Sequence, residues 1–289
     1  MNMPSSSFSS AYRGRLAPTP TGNLHLGHAR TFWTAQQRAL AQQGTLVFRN
    51  EDLDPDRCKQ QYVESMYVDL RWFGLSWQEG PDVGGLYGPY VQSQRRGFYL
   101  DAWRKLMESG AIYPCICSRK DLAQSAQAPH DSDEDDELLY PGTCRKRSVT
   151  EAQRQNPAGA NWRFRVPDGE EICFVDNNPK IGKRTFTAGR EFGDFLIWRR
   201  DDVPAYQLAV VVDDAAMHIT EVVRGEDLLK STARQVLLQR SLQLSPPEYF
   251  HCSLMRDENG IRLAKRHDAL SLRALREAGK SPKELRIDW

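Results

Sequence analysis

The chain has 289 residues, of which 40% are hydrophobic and 27% are charged, as in a globular protein with one large or two medium domains. Its 39 basic and 38 acidic residues leave a net charge of +1, which is not the profile of a general polyanion binder but allows a small, local contact with nucleic acid. No apolar run approaches the ~20 residues that a membrane helix needs, and the polar, serine-rich residues 1–10 lack the apolar core of a secretory signal.

The first part of the chain alternates between strand and helix patterns. Gly14–Ala17 is predicted as a buried strand and Ala29–Gln43 as a helix that Gly44 ends, followed by a strand at Thr45–Asn50. Two further helices are predicted at Cys58–Phe73 and Arg95–Ser109. This alternation predicts an α/β fold with a parallel sheet, helices on both faces and ligands at the carboxyl ends of the strands.

The pattern changes between Tyr113 and about Gly189. Short alternating runs at Trp162–Val166 and Ile172–Asp176 are separated by turn sequences, which predicts an insertion between two halves of the sheet. Residues 131–137 include six acids and are expected to form a flexible loop.

The α/β pattern then returns in four predicted elements: a strand at Phe195–Trp198, a helix at Tyr206–Val212, a strand at His218–Val223 and a helix at Lys230–Leu242. The predicted division is a disordered tail at 1–12, a first half of the α/β domain at 13–112, the insertion at 113–190 and the second half of that domain at 191–289.

Two short segments indicate phosphate chemistry. His25 and His28 flank Gly27 between the first strand and the first helix, where helix N–H groups and a positive partial charge attract phosphate. Gly27 allows close approach of a nucleotide. Far along the chain, Lys265 offers a mobile charge for a leaving pyrophosphate.

Both segments resemble elements of class I aminoacyl-tRNA synthetases. P-T-P-T-G-N-L-H-L-G-H at 18–28 is similar to the HIGH element, and I-R-L-A-K-R-H at 261–267 is similar to the KMSKS element. Four more segments resemble the glutamyl branch, in family order: R-L-A-P-T-P-T-G at 15–22, F-R-N-E-D-L-D at 48–54, P-A-Y-Q-L-A-V-V-V-D-D at 204–214 and I-T-E-V-V-R-G-E-D-L-L at 219–229. Five or more ordered motifs across nearly the whole chain identify it as a member of this family.

The resemblance implies a Rossmann-like catalytic domain that binds ATP, with Mg²⁺ carried mainly by the triphosphate. It implies that His25, His28 and Lys265 are catalytic. Gly27 and Arg262 join them in binding ATP, and Ala264 replaces the serine of the family motif. It also implies a set of glutamate-binding residues: Arg15, Ala17, Thr19, Glu51, Tyr206 and Arg224. One of the neighbouring acids Asp52 and Asp54 is expected to be structural and to pair with Arg57.

Three cysteines, Cys115, Cys117 and Cys144, indicate a metal site, because thiolates are strong zinc ligands and a closed site needs four donors. The residues alone would favour His130 as the fourth donor, whereas the resemblance implies Tyr140. A metal-free insertion with three thiols is the alternative. A zinc ion here would be structural and would stabilise an insertion too small to have its own core.

Only 22 residues follow His267. The chain therefore resembles shortened relatives of glutamyl-tRNA synthetase, in which no anticodon-binding domain is expected. Such relatives form glutamyl-adenylate without tRNA and attach glutamate to the queuosine base in the anticodon loop of tRNA(Asp), whereas full-length enzymes generally need their tRNA to activate glutamate.

The alternatives are a truncated enzyme that charges tRNA(Glu), an inactive regulatory relative, and a nucleotidyltransferase of the same superfamily that acts on a small acid. A cytoplasmic monomer that does not bind membranes is expected.

Overall fold

The computed structural model describes residues 11–118, 121, 139–255, 271–287 and 289. Within these ranges the helices are α1 Leu26–Ala41, α2 Gln60–Trp72, α3 Arg96–Glu108, α4 Glu151–Gln155, α5 Tyr206–Ala216, α6 Leu229–Leu242 and α7 Leu272–Glu277. The strands are β1 Arg13–Leu16, β2 Thr45–Phe48, β3 Ile112–Cys115, β4 Asn161–Phe164, β5 Glu171–Val175, β6 Lys183–Thr187, β7 Leu196–Trp198, β8 Glu221–Gly225 and β9 Glu248–Cys252.

A parallel sheet positions the site. Strand β1 pairs with β2 and β8 pairs with β9, in both cases parallel. The two pairs meet where the Thr220 N–H donates to the Arg13 carbonyl oxygen at 2.9 Å. Helix α1 connects β1 to β2 and packs against the sheet. The predicted α/β architecture with a parallel sheet is therefore confirmed.

A second, antiparallel sheet has the order β3-β4-β7, and β5 and β6 form a separate antiparallel hairpin. The run at Phe195–Trp198 was predicted to rejoin the α/β pattern, but β7 pairs with β4 in this antiparallel sheet. The sheet therefore crosses the boundary at residue 190 in the predicted division.

One apolar core joins the two parts of the structure. Trp162 of β4 and Trp198 of β7 are fully buried in the same cluster as Trp103 of α3 and Leu208 of α5. The predicted insertion thus shares its core with the helices of the catalytic domain. Tyr12, which the predicted division places in the tail, donates its hydroxyl to Glu221 at 2.8 Å. The full division into segments stays a prediction.

Within the described ranges, no helix combines the length and apolar character required to cross a membrane.

Candidate active site

A cavity of about 250 Å³ lies between the carboxyl ends of β1 and β8 and the start of α1. Nine of the residues that the sequence predicts for ATP or glutamate line it: Arg15, Ala17, Thr19, His25, Gly27, His28, Glu51, Tyr206 and Arg224. The other two predicted residues, Arg262 and Lys265, lie outside the described residues, as do His130 and the acidic stretch 131–137. The structure thus brings the described residues predicted for ATP together with those predicted for glutamate, while the role of each residue stays a prediction.

The two histidines are held by the helix they begin. His25 is the N-cap of α1, where its Nδ1 accepts the Gly27 N–H at 3.1 Å. The His25 N–H donates to Nδ1 of His28 at 3.2 Å. A neutral imidazole whose Nδ1 accepts carries its proton on Nε2. Both rings therefore present an Nε2–H donor, as contacts to phosphate oxygens require. Helix α1 begins at Leu26, earlier than the predicted Ala29, because His25 caps it.

Gly27 is needed for the histidine arrangement. A Cβ atom at this position would lie 3.0 Å from both Cε1 and Nδ1 of His25. Any side chain would therefore require the His25 ring to shift by a few tenths of an ångström. The sequence predicts that Gly27 allows a nucleotide to approach closely. The structure adds a second reason for glycine here, which is the short distance to the His25 ring.

Arg224 is the most informative cation in the cavity. It is 4% exposed, and its Nη2 donates to Thr232 Oγ1 at 2.7 Å. Its Nε donates to His251 Nε2 at 3.2 Å, and its Nη1 lies 3.5 Å from the Tyr206 hydroxyl. Two of these partners are hydroxyl groups, and burial lowers the pKa of the third, His251, so all three are neutral. Among the described residues, no carboxylate lies within ion-pair distance of Arg224.

On the other side of the cavity, charges are paired. Arg15 donates to the Val223 carbonyl oxygen at 2.9 Å and its Nε lies 3.5 Å from Asp214. Fully buried Arg49 donates to Glu51 at 3.0 Å and to Asp214 at 2.7 Å. Burial raises the pKa of Glu51, although Arg49 and Arg15 act in the opposite direction. An ammonium group at Glu51 would favour its carboxylate form.

Sequence reasoning missed the groups that hold these side chains. His251, Thr232, Arg49 and Asp214 are buried polar residues. His251 lies in β9 between Phe250 and Cys252, and a histidine within such a strand is the one signal that could have found it. The expected Arg57 pairing is wrong. Asp54 accepts from Arg199 at 2.8 Å and Asp52 accepts from Ser93 at 2.8 Å.

A separate thiol cluster lies in the predicted insertion. The sulfur atoms of Cys115, Cys117 and Cys144 lie within 4.8 Å of one another, so the donor set fits a zinc ion. The Tyr140 hydroxyl lies 3.4 Å from the Cys115 sulfur and 3.6 Å from the Cys117 sulfur, and it accepts the Cys144 N–H at 2.8 Å. The tyrosine named by the resemblance is thus next to the three thiols.

Hydrogen bonds give the thiols of Cys117 and Cys144 different pKa values. Burial raises the pKa of Cys117 to about 11. Burial also acts to raise the pKa of Cys144, but hydrogen bonds with the Tyr140 hydroxyl and the Ile116 N–H outweigh it and lower that pKa to about 7. Burial and the Cys115 thiol raise the pKa of Tyr140. The phenol would therefore need a metal ion to lose its proton at neutral pH.

Arg145 anchors the turn that carries Cys144. It pairs with Asp194 at 2.6 Å and also with Asp168. This residue is therefore structural. Lys146 and Arg147 next to it are exposed and carry the positive charge of this surface.

Comparisons with known proteins identify the family of this chain. Residues 11–286 match the family model of the catalytic domain of class I tRNA synthetases (E and Q). The chain is 48% identical over 269 residues to a glutamyl-Q tRNA(Asp) synthetase of Nitratidesulfovibrio vulgaris, a match that spans 92% of this chain and 82% of that protein. It is 41% identical over 284 residues to glutamate–tRNA ligase 2 of Nitrosococcus oceani, spanning 95% of this chain and 58% of that protein.

The fold also matches a solved structure. The crystal structure of glutamate-tRNA synthetase from Elizabethkingia anophelis superposes with a TM-score of 0.76 at 30% identity. The match covers 88% of this chain and 52% of that one, so this chain spans about half of its length.

Proposed function

Because the chain belongs to the catalytic-domain family of class I tRNA synthetases for glutamate and glutamine, and is therefore a ligase of the aminoacyl-tRNA synthetase type, we propose that it activates L-glutamate with ATP without tRNA and transfers it to the queuosine base of tRNA(Asp).

The observation that carries the glutamate assignment is Arg224. A buried guanidinium that has only neutral partners among the described residues is costly unless an anion approaches it. Its planar N–H groups suit a carboxylate, which they can contact through two parallel hydrogen bonds. Glu51, across the cavity, offers an acceptor for the ammonium group. The pair fits an amino acid with an acidic side chain.

The first step needs alignment rather than a base. The α-carboxylate of glutamate is ionised at neutral pH, and one of its oxygens forms a new bond to the α-phosphorus of ATP while the bond to pyrophosphate breaks. The Nε2–H groups of His25 and His28 would donate to phosphate oxygens as charge develops there, and the hydrogen bonds to both Nδ1 atoms support this role. Lys265 and Arg262 would follow the charge that moves onto pyrophosphate, and Mg²⁺ would accompany the triphosphate.

The second step is proposed from the relatives. The protein at 48% identity is a glutamyl-Q tRNA(Asp) synthetase and is matched over most of its length, whereas the glutamate–tRNA ligase is less similar and is matched over little more than half. A hydroxyl of the queuosine base would attack the glutamyl-adenylate, forming an ester and releasing AMP. The anticodon loop of tRNA(Asp) would then reach the catalytic cavity directly.

The thiol cluster is proposed to hold one structural zinc ion through Cys115, Cys117, Cys144 and Tyr140. A zinc ion there would link β3 to the turn at Tyr140 and so order a part of the predicted insertion.

ATP–pyrophosphate exchange in the absence of RNA tests the first step. Exchange that depends on L-glutamate supports the proposal. Exchange that appears only after tRNA(Glu) is added would favour the truncated tRNA(Glu)-charging enzyme, and no exchange under any condition would favour an inactive relative.

The acceptor is tested with radiolabelled glutamate and three RNAs: tRNA(Asp) with queuosine, tRNA(Asp) without it, and tRNA(Glu). Labelling of the first alone is expected. Equal labelling of the two tRNA(Asp) forms, or labelling of tRNA(Glu), would overturn the queuosine assignment.

A further inference from the structure

A buried chain of polar groups leads from the predicted insertion to the cavity. It begins at Asp176, which directly follows β5, and continues through His251 of β9 to Arg224 of β8. Asp176 is 4% exposed and His251 is fully buried. None of the sequence motifs includes Asp176 or His251.

Asp176 is fixed by both of its oxygens. Its Oδ1 accepts the N–H groups of Asn178 at 2.9 Å and of His251 at 3.1 Å, and its Oδ2 pairs with Nδ1 of His251. Backbone contacts hold the hairpin to β9, because the Asn177 N–H donates to the Tyr249 carbonyl oxygen at 2.7 Å. The carboxylate is therefore set rigidly against the imidazole.

The direction of each hydrogen bond follows from these contacts. Burial acts to raise the pKa of Asp176, but the hydrogen bonds from His251 and Asn178 outweigh it and lower that pKa, so the group is a carboxylate. A carboxylate accepts, so Nδ1 of His251 carries the proton and Nε2 is left as an acceptor. Arg224 Nε–H donates to that Nε2 at 3.2 Å. The opposite tautomer would place an N–H against an N–H.

We propose that Asp176, a residue of the predicted insertion, positions the Arg224 guanidinium for the side-chain carboxylate of glutamate by fixing the tautomer of His251. This inference rests on the proposed function. His251 accepts from Arg224 without adding a negative charge, so the positive charge of Arg224 stays available for the ligand. Asp176 and His251 are positioning residues, since the Arg224 guanidinium alone would touch glutamate.

The substitution D176N tests the tautomer directly. Asparagine has nearly the shape of aspartate, and its oxygen can keep the contacts to both backbone N–H groups. Its amide then donates to Nδ1 of His251, which moves the imidazole proton to Nε2 and opposes Arg224 Nε–H. We expect glutamate binding to weaken about tenfold to hundredfold, in line with the loss of one hydrogen bond to a charged group.

The substitution H251Q is the second variant. A glutamine amide donates from nitrogen and accepts through oxygen, so it can preserve a donor toward Asp176 and an acceptor toward Arg224. We expect glutamate binding within a few-fold of the wild-type value, although the ring itself is lost. If Asp176 and His251 had only a structural role, the losses of glutamate affinity would come in the reverse order. H251Q, the larger change in shape, would then weaken binding more than the nearly isosteric D176N.

The experiment uses calorimetric titration of L-glutamate into the full-length chain, together with the KM values for glutamate and ATP in exchange. E170Q is the matched control, because Glu170 lies at the start of the same hairpin and pairs with Arg240 on the surface. D176N should raise the dissociation constant and the KM for glutamate but leave the KM for ATP unchanged. E170Q should leave all three values unchanged.

Wild-type affinity in D176N, or a weaker H251Q than D176N, would overturn the positioning role while leaving glutamate activation intact. A wild-type chain that binds no glutamate would overturn the proposed function itself. Thermal unfolding of each variant reports whether the fold is retained.

Discussion

Replacing Arg224 by methionine should remove glutamate activation while leaving the stability of the protein nearly unchanged. Arg224 is buried without a carboxylate partner among the described residues, so its charge is expected to serve the ligand rather than the fold. Methionine fills the space of the apolar stem. The two acceptors that lose Arg224, Thr232 Oγ1 and His251 Nε2, lie 3.1 Å apart and can pair with each other.

The matched control is Arg95→Met. Arg95 is also fully buried, but its Nε donates to fully buried Asp213 at 2.5 Å. Removing one member of a buried ion pair costs about 3–5 kcal/mol of unfolding free energy, and Asp213 would keep only the more distant Arg49, at 3.9 Å, as a charged partner among the described residues. Arg224→Met should lower it by no more than ~1 kcal/mol, since no buried carboxylate is left behind.

Activity should show the opposite order, with Arg224→Met affected more than Arg95→Met. Two charge-assisted hydrogen bonds to a glutamate carboxylate are worth about 3 kcal/mol or more in total, which corresponds to an increase in the glutamate KM of roughly a hundredfold or more. Denaturant titration and ATP–pyrophosphate exchange measure the two effects separately. An Arg224→Met protein that is as unstable as Arg95→Met would show that Arg224 serves the fold. One that keeps a normal glutamate KM would show that Arg224 does not bind glutamate.

Four further outcomes are expected. Gly27→Ala should reduce exchange activity with no loss of stability, because the new Cβ meets the His25 ring, whereas Gly97→Ala, at the equivalent second position of α3 and with open space around it, should leave activity unchanged. Lys265→Ala should slow adenylate formation without changing the thermal unfolding temperature, and an unimpaired variant would mean that the segment at 261–267 is misassigned. Elemental analysis should find one zinc ion per chain in the wild type and none in Cys117→Ser, and a wild type without stoichiometric zinc would disprove the metal site. Burial acts to raise the pKa of Glu221, but hydrogen bonds from Arg38 outweigh it and lower that pKa, so its stabilising contribution is present at neutral pH and disappears as the pH falls through the folded-state value. Acid titration of stability should therefore be shallower in Glu221→Gln than in the wild type.

Local patterns were sufficient for most helices and strands, and the family motifs were sufficient for nine of the residues that line the cavity. They were insufficient where a distant partner decides the structure. Histidine is not among the usual N-cap residues, so the start of α1 at Leu26 was predicted three residues late. The apolar run at Phe195–Trp198 correctly predicts a strand, but apolarity cannot show whether its neighbour runs parallel or antiparallel.

The supporting residues of the site were the least predictable part. Asp214 holds Arg49 across 165 positions of sequence, and Asp176 holds His251 across 75. An acidic or basic residue that is buried in such a pair looks, in sequence alone, like any surface charge. Only the presence of His251 within the apolar strand β9 hinted at a buried polar contact.

The cavity is bounded by β1 near one end of the chain and by β8, some 200 positions later. A ribosome-bound fragment that stops short of β8 would have the histidines but no Arg224, and therefore only half of the pocket. During synthesis, amino-acid recognition would thus emerge late and in a single step, when β8 docks beside β1. Nascent chains that still lack this strand should be unable to recognise glutamate.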